Sequence, residues 1–333
     1  MSVLPIAVDA MGGDKAPGEI VAGALAAQAE LGVPVALVGD PGVLAGLDTG
    51  DLAIFPASEV IGMGDDGARS VRVRKDSSLV RAAEAVRDGH ASAMVSAGNT
   101  GATAASALLR MGRLPGVSRP AIATPIPVPG STPTVLLDAG ANAECQPAWL
   151  AQFARMGSAV SKARYGIERP KVALLSIGEE AAKGTSLTKE VYGLLGADPT
   201  IHFVGNVEGR DLLSDAADVV VTDGFTGNVA LKTLEGSLRF MVSQIFGILT
   251  TDERAAPVAG PVLEALAPMA DAFDPDSTGG ALLLGVKGVC VIAHGASPAR
   301  AIVNALKVGH EMAAVGMPAT LAAAIAAGSD EAP

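Results

Sequence analysis

Short apolar runs alternate with longer stretches of helical period along most of the chain. Strands are predicted at residues 4–9, 35–39, 52–55, 93–96, 171–177 and 219–221, with strand-then-turn segments at 134–142, 201–210 and 289–295. Apolar residues at three- and four-residue spacing between them predict helices from Pro17 to about Leu31, over 79–88, and from the turn after Ser96 to about Met111. Further helices are expected from about Pro147 to Tyr165, from near Asn228, and from about Pro298 with a division at Pro318. This rhythm signals an α/β fold: a mostly parallel sheet covered by helices.

Three stretches break the rhythm. Five prolines between Pro120 and Pro133 block helix and interior strand pairing, which predicts an extended edge hairpin. Residues 62–78 form a polar loop carrying Arg69, Arg72, Arg74 and Lys75, either a solvated connection or a basic rim for an acidic partner. From Ser237 to about Asp274 two apolar helical stretches flank a polar break at 250–254. The first stretch is apolar on nearly every side and must be buried in protein or lipid. It is too short to span a bilayer. The expectation is a protruding helical pair serving the dimer interface, the membrane surface or both. The whole of 1–333 reads as one α/β catalytic unit, open to division into two lobes, with this insert at about 237–274. Residues 329–333 are expected to fray.

Composition narrows the function. At 49% hydrophobic and 3% aromatic, a large core must pack through small aliphatic side chains. A net charge of -11 lacks the basic footprint of general nucleic-acid binding. Two isolated cysteines, Cys145 and Cys290, indicate a reducing compartment. Four histidines without metal-ligand spacing predict no metal. The first residues lack a signal-peptide pattern, so a cytoplasmic protein is expected.

Candidate chemistry lies at strand ends. Ser96-Ala-Gly-Asn-Thr-Gly101 and Thr222-Asp-Gly-Phe-Thr-Gly227 share the frame Ser/Thr-x-Gly-x-Thr-Gly directly after an apolar strand. Glycines bring backbone close to a ligand, and a helix N-terminus suits an anion. Two such turns suggest a site with two anion-binding walls. Ligands of open α/β sheets bind outside the carboxyl ends of strands, where Asp9, Ser96, Asn99, Asp138, Asn142, Glu179, Lys183, Asn206, Asp223, Asn228 and His294 also collect. Any one of them alone is more often a cap than a catalyst.

The runs Asp9-Ala-Met-Gly-Gly-Asp14, Ser96-Ala-Gly-Asn-Thr-Gly101, Asp138-Ala-Gly-Ala-Asn142, Ile177-Gly-Glu-Glu180 with Lys183-Gly184, and Gly205-Asn-Val-Glu-Gly-Arg-Asp211 appear in this order. With Val219-Val-Val-Thr-Asp-Gly-Phe-Thr-Gly-Asn228 and His294-Gly295, the set resembles the bacterial phosphate acyltransferases (acyl-ACP:phosphate transacylase, PlsX) along nearly the whole chain. Asp276-Ser-Thr-Gly-Gly280 and Cys290 are small departures.

The resemblance implies a fold similar to phosphotransacetylases and isocitrate or isopropylmalate dehydrogenases, a homodimer, and no cofactor. It also implies transfer of a fatty acyl group from acyl carrier protein to inorganic phosphate, giving acyl phosphate for phospholipid synthesis. Peripheral membrane association of this cytoplasmic protein is expected with it, and a downstream glycerol-3-phosphate acyltransferase would take the product. Lys183 and Asn228 are the expected catalytic pair. Asp9, Gly98, Asn99, Thr100, Gly101, Asn142, Glu179, Asn206, Asp223, Gly224, Thr226, Gly227 and His294 are expected to bind phosphate and substrate. Arg69, Arg72, Arg74 and Lys75 are candidates for carrier-protein contact. Two other readings stay open. A nicotinamide-dependent dehydrogenase fits the fold but lacks Gly-x-Gly-x-x-Gly with a later ribose-binding acid. A non-catalytic acyl-carrier or membrane adaptor would not need Lys183 and Asn228.

Overall fold

The computed structural model describes residues 4–251, 255–272 and 274–328. The expected fraying at 329–333 and most of the polar break at 250–254 lie outside them. The strands are β1 (Ile6–Asp9), β2 (Val35–Gly39), β3 (Ala53–Pro56), β4 (Ala93–Ser96), β5 (Ala121–Ile126), β6 (Thr134–Leu137), β7 (Lys171–Leu175), β8 (His202–Val207), β9 (Val219–Val221), β10 (Ala281–Leu284) and β11 (Val289–Ile292). The helices are α1 (Gly18–Leu31), α2 (Pro41–Leu44), α3 (Gly67–Val73), α4 (Ser78–Arg87), α5 (Thr100–Ser106, continued by a π-helical turn, Ala107–Met111), α6 (Pro147–Tyr165), α7 (Ser186–Gly196), α8 (Gly224–Thr251), α9 (Ala256–Ala272), α10 (Ala299–Ala314) and α11 (Met317–Ala327).

One sheet joins the strands in the order β3-β2-β1-β4-β11-β10-β5-β6-β9-β7-β8. Every residue of β1, β2, β4, β6, β9 and β11 is buried, as expected of parallel strands with helices on both faces. The edge strands β3 and β8 are partly exposed. Small residues allow close packing here. A β-carbon on Gly157 of α6 would lie 2.5 Å from Val219 Cγ1 of β9, so any side chain there would push the helix off the sheet.

The junction at β5 decides where a site can form. β5 is antiparallel to both neighbours, and it divides its partners: Ala121, Ile122 and Ala123 pair with β10, whereas Thr124, Pro125 and Ile126 pair with β6. β6 therefore ends, and β10 begins, near the middle of β5. β10 in turn starts beside the end of β11, Ala281 opposite Ile292. The parallel strands of the two halves thus point their carboxyl ends at each other, with β5 bridging the gap.

Four local expectations need correction. The proline-rich hairpin lies inside the sheet rather than at its edge. Pro125 is tolerated because it sits in the half of β5 that pairs with β6 alone, and Pro127, Pro129 and Pro133 fall outside the strands. The polar loop at 62–78 contains α3, started by Asp66, whose side chain accepts from Arg69 N at 2.9 Å. β10 follows the arm at Ala281–Leu284, where the sequence pattern predicts no strand. Finally, α8 begins at Gly224 rather than near Asn228, and runs unbroken for 28 residues into the arm it forms with α9. No helix among the described residues is long and apolar enough to cross a membrane.

Candidate active site

Two buried aspartates, each at the carboxyl end of a strand, shape the facing walls. Asp138 follows β6 and is fully buried. Its Oδ1 accepts from the backbone N–H groups of Ile122, Gly140 and Ala141 at 3.0, 3.1 and 2.9 Å. Its Oδ2 accepts from Asn142 N at 2.7 Å and Asn142 Nδ2 at 2.8 Å. Such a carboxylate holds a turn; it has little capacity left for a ligand. Asn142 is likewise occupied, donating also to Pro120 O at 2.8 Å and accepting Gly224 N on its carbonyl at 2.8 Å.

That last bond docks the start of α8 onto the Asp138 turn. Asp223 caps the helix, accepting Thr226 N at 2.9 Å and Thr226 Oγ1 at 2.7 Å. A β-carbon on Gly224 would meet Asn142 O at 2.5 Å, so only glycine fits this approach. The docking brings Asn228, in the first turns of α8, over the Asp138 turn, where its Nδ2 donates to Ala139 O at 3.1 Å. Gly140 makes room: a β-carbon there would lie 2.8 Å from that nitrogen. Asn228 is thereby oriented, with a second amide N–H and its Oδ1 available to a ligand.

The opposite wall repeats the arrangement around Asp9. Its Oδ2 accepts from Ser96 Oγ at 2.8 Å, and Ser96 Oγ accepts from Gly98 N at 3.0 Å. Burial pushes the Asp9 carboxyl above the usual carboxylate range, against the opposing effect of hydrogen bonds from Ser78, Ser96 and the backbone of Met11 and Gly12. Asn99 caps α5, accepting Ala102 N at 2.9 Å, and its Nδ2 donates to Met63 O at 2.8 Å and Asp65 O at 3.0 Å. This leaves Thr100, at the exposed start of α5, facing the gap. On the neighbouring strand end, His294 Nδ1 accepts Ala296 N at 3.2 Å, which puts its proton on Nε2 when the ring is neutral.

Between the walls lies a cavity of about 150 Å³ whose lining includes Thr100, Thr124, Ala139, Asn228, Lys232 and His294. Pockets that enclose a whole ligand measure roughly 300–1,000 Å³. This one admits a reacting head group and little more. Of the expected site residues it gathers Thr100, Asn228 and His294. Asp9, Gly98, Asn99, Gly101, Asn142, Asp223, Gly224, Thr226 and Gly227 build the turns around it. Lys183, Glu179 and Asn206 form a separate cluster at the ends of β7 and β8. There the Glu180 carbonyl accepts both Lys183 N at 2.9 Å and Asn206 Nδ2 at 3.0 Å. Glu179 pairs with Arg210 at 3.7 Å on the surface. Lys183 is exposed and makes no ion pair among the described residues. Lys232 was missed. It stands one turn beyond Asn228 on α8 and pairs with Glu235 at 2.8 Å. The signal was its i+4 relation to Asn228.

Residues 4–320 match the family described as fatty acid synthesis protein. The chain is similar to the phosphate acyltransferase of Leptospira biflexa, 45% identical over 320 residues that cover 92% of this chain and 93% of the relative. It is 47% identical over 314 residues to the phosphate acyltransferase of Heliobacterium modesticaldum, covering 92% and 93% of the two chains. The chain belongs to the phosphate acyltransferase (PlsX) family. Its fold is similar to that of EutD phosphotransacetylase from Staphylococcus aureus, with a TM-score of 0.59 at 17% identity over 93% of this chain and 94% of the other. That likeness, one of fold alone, bears out the expected architecture.

In this member of the phosphate acyltransferase family the cysteines are poor nucleophiles. Burial pushes the Cys145 thiol up to about 11 and the Cys290 thiol up to about 12. Both stay protonated at neutral pH, and it is the thiolate that attacks. An acyl-enzyme through either thiol is therefore disfavoured.

Proposed function

We propose that the protein transfers a fatty acyl group from acyl carrier protein to inorganic phosphate, yielding acyl phosphate and the free carrier thiol. The observation that carries this reading is the small cavity between two helix N-termini, lined by Thr100 on one wall and by Asn228 and Lys232 on the other. A phosphate oxygen attacks the thioester carbonyl carbon, and the C–S bond breaks. The departing thiolate, with an unperturbed pKa of about 8.5, takes its proton from solvent. Phosphate is already an anionic nucleophile, so no activated serine or cysteine is required. What the site must supply is alignment and compensation of negative charge. Asn228, held by Ala139, donates to the carbonyl oxygen as it gains charge. Lys232 and the N-terminus of α5 attract phosphate. Lys183, on the neighbouring loop, contributes a mobile positive charge as the substrates close the gap.

Two further parts of this reading concern partners. The exposed Arg69 and Arg72 of α3 and the adjacent Lys75 offer the acidic carrier protein a local positive field on a chain of net charge -11. The outer face of the α8–α9 arm serves membrane contact, in a homodimer that passes its product to a glycerol-3-phosphate acyltransferase.

The test is trapping with hydroxylamine. Purified protein, acyl-ACP and phosphate should give an acyl hydroxamate at a rate that depends on phosphate. Hydroxamate formation indifferent to phosphate would overturn the proposal.

A further inference from the structure

Two carboxylates line the head-group cavity, and they are not equivalent. Glu235 pairs with Lys232 at 2.8 Å, so its charge is already balanced. Asp276 lines the same cavity, and its carboxylate makes no ion pair or hydrogen bond among the described residues.

The backbone fixes Asp276 in place while leaving that carboxylate uncommitted. It belongs to a 3-10 turn, Pro275–Ser277, between the arm and β10. Its N–H donates to Asp274 Oδ1 at 3.0 Å, and its carbonyl accepts from Asn304 Nδ2 of α10 at 2.8 Å. Gly279 and Gly280, both left-handed with φ of 80° and 79°, lead on into β10. β-carbons there would meet Asn304 O at 2.8 Å and Ile292 O at 2.6 Å. Only glycines let this segment lie against α10 and the end of β11, after which His294 reaches the same cavity.

The charge around Asp276 is unusual for a carboxylate. Burial and the neighbouring Asp274 push its carboxyl above the usual range, against Lys15, His294 and Arg300. Arg300 is itself engaged with Asp271 and Asp274. A bare carboxylate repels a bound oxyanion. The contact becomes favourable when a proton lies between the two, as a charge-assisted hydrogen bond. Phosphate keeps a hydroxyl throughout the neutral range; sulfate, of the same shape, has none.

We propose that Asp276 recognises phosphate through its hydroxyl and takes that proton as the phosphate attacks. The assignment deepens the acyl-transfer reading and rests on it. The O–C bond to the thioester carbon forms and the C–S bond breaks. The phosphate proton passes to the Asp276 carboxylate and on to solvent, which supplies the proton taken up by the thiolate. Attack makes the phosphate hydroxyl more acidic, because its oxygens lose charge to the carbonyl carbon. A carboxylate held above its usual range is a matched acceptor for that proton.

The experiment uses Asp276→Asn, which keeps the shape of the side chain, and Asp276→Ser, with thermal melting to identify folded variants. Line broadening of the ³¹P signal of inorganic phosphate, without thioester, reads binding. A tenfold excess of sulfate should leave the broadening nearly unchanged in wild type and abolish it in a folded variant, whose neutral side chain no longer repels sulfate. In the hydroxamate assay at saturating phosphate, kcat of the variant should fall about 10²-fold at neutral pH, the lower end of what a general base contributes. The acid limb of the wild-type kcat profile, where Asp276 becomes protonated, should be missing from the variant. Lys15, Lys232, Glu235, Asp274, His294 and Arg300, the charged or titratable groups around Asp276 and the cavity, are the same in both proteins. The difference between the profiles therefore belongs to Asp276. Sulfate that competes equally in wild type and variant would overturn the recognition, as would a wild type that broadens no phosphate signal. A kcat profile untouched by substitution, or lowered evenly at every pH, would overturn the proton transfer. Wild type that rejects sulfate but turns over no thioester would leave Asp276 as the phosphate selector and remove the acyl-transfer reading instead.

Discussion

Gly227 lies so close to Asp138 that a β-carbon on it would stand 2.0 Å from the Asp138 carbonyl oxygen. No side-chain adjustment relieves a clash with backbone, so α8 would have to lift from the Asp138 turn and take Asn228 and Lys232 with it. Gly227→Ala is expected to cost about 1–3 kcal/mol, the usual penalty of overpacking. The loss of acyl phosphate formation should be larger than the unfolded fraction accounts for. Circular dichroism melting alongside the hydroxamate assay checks both halves; a variant with normal turnover would show that the close approach does not position the site.

Substitutions that leave the walls intact should separate chemistry from folding. Asn228→Ala removes the proposed donor to the carbonyl oxygen, a loss worth roughly 10²–10³ in rate for comparable oxyanion donors. Lys183→Met, at an exposed side chain without an ion pair among the described residues, should lower kcat similarly with no change in melting temperature. Lys232→Met should act mainly through the KM for phosphate, because Lys232 lines the cavity where phosphate is proposed to sit. Steady-state kinetics with phosphate varied decides the matter. Near wild-type constants would remove the residue concerned from the mechanism.

The sequence made the buried strands and the best-capped helices legible. Val219–Val221 is a β-branched run and nothing else, and α6 carries Pro147 at its start and the left-handed Gly166 at its end. β10 was hidden because Ala-Leu-Leu-Leu directly after the arm has no β-branched residue or alternation to mark a strand. The position of the hairpin depends on β5 dividing its partners, which no local pattern encodes. In the site, the glycine turns were legible, but not which of their residues build walls and which face the gap. Asn99 and Asn142 look like ligands in sequence. Their partners, Met63, Asp65 and Pro120, lie more than twenty residues away.

A buried ion pair gives a pH-dependent stability. Arg155 Nε donates to Asp198 Oδ2 at 2.7 Å, with the carboxylate almost wholly buried. Burial raises the Asp198 pKa, but hydrogen bonds from Thr200 and Arg155 outweigh it and hold the carboxyl below its usual range. A depressed folded-state pKa contributes stability above the unfolded value, near 3.9, that is lost as pH falls through the folded one. Arg155→Met strands the charge and should cost about 3–5 kcal/mol at neutral pH. The gap from wild type should narrow as pH falls below about 4 and close once pH has passed below the depressed folded value, where the carboxyl is protonated in both. Urea unfolding at the two pH values measures it; a gap that did not change with pH would assign the loss to packing of the Arg155 stem.

The basic segment divides into two roles. Arg74 is not part of an open patch: it pairs with Asp65 and donates to Val60 O at 2.7 Å, pinning the loop before α3. Arg74→Ser should therefore lower the melting temperature. The triple change of Arg69, Arg72 and Lys75 to Ser should leave melting unchanged and raise the KM for acyl-ACP about tenfold more than that for acyl-CoA. That difference should shrink in high salt, because the field is screened within about 8–10 Å at ordinary ionic strength. Equal effects on both thioesters would sink the carrier-docking role.

The outer face of the arm remains uncovered. Phe240, Met241 and Ile248 are 61%, 55% and 59% exposed. Ile248 lies eight residues beyond Phe240 and seven beyond Met241 on α8, so the three share one face. Single exposed apolar residues are ordinary, but a contiguous stripe along one helix face marks a contact surface. A helix with an exposed apolar face lying flat at the bilayer boundary would let a water-insoluble product leave the protein without crossing water. Wild type is accordingly expected to float with anionic liposomes, and the triple change Phe240→Ser, Met241→Ser and Ile248→Ser to stay with the unbound protein. Turnover in detergent should be preserved, because these side chains do not line the cavity at Asn228 and Lys232. Sedimentation tells the two contact partners apart. A triple variant that still floats would exclude this face as the membrane contact, and one that sediments as a smaller species would place the face between two copies of the chain.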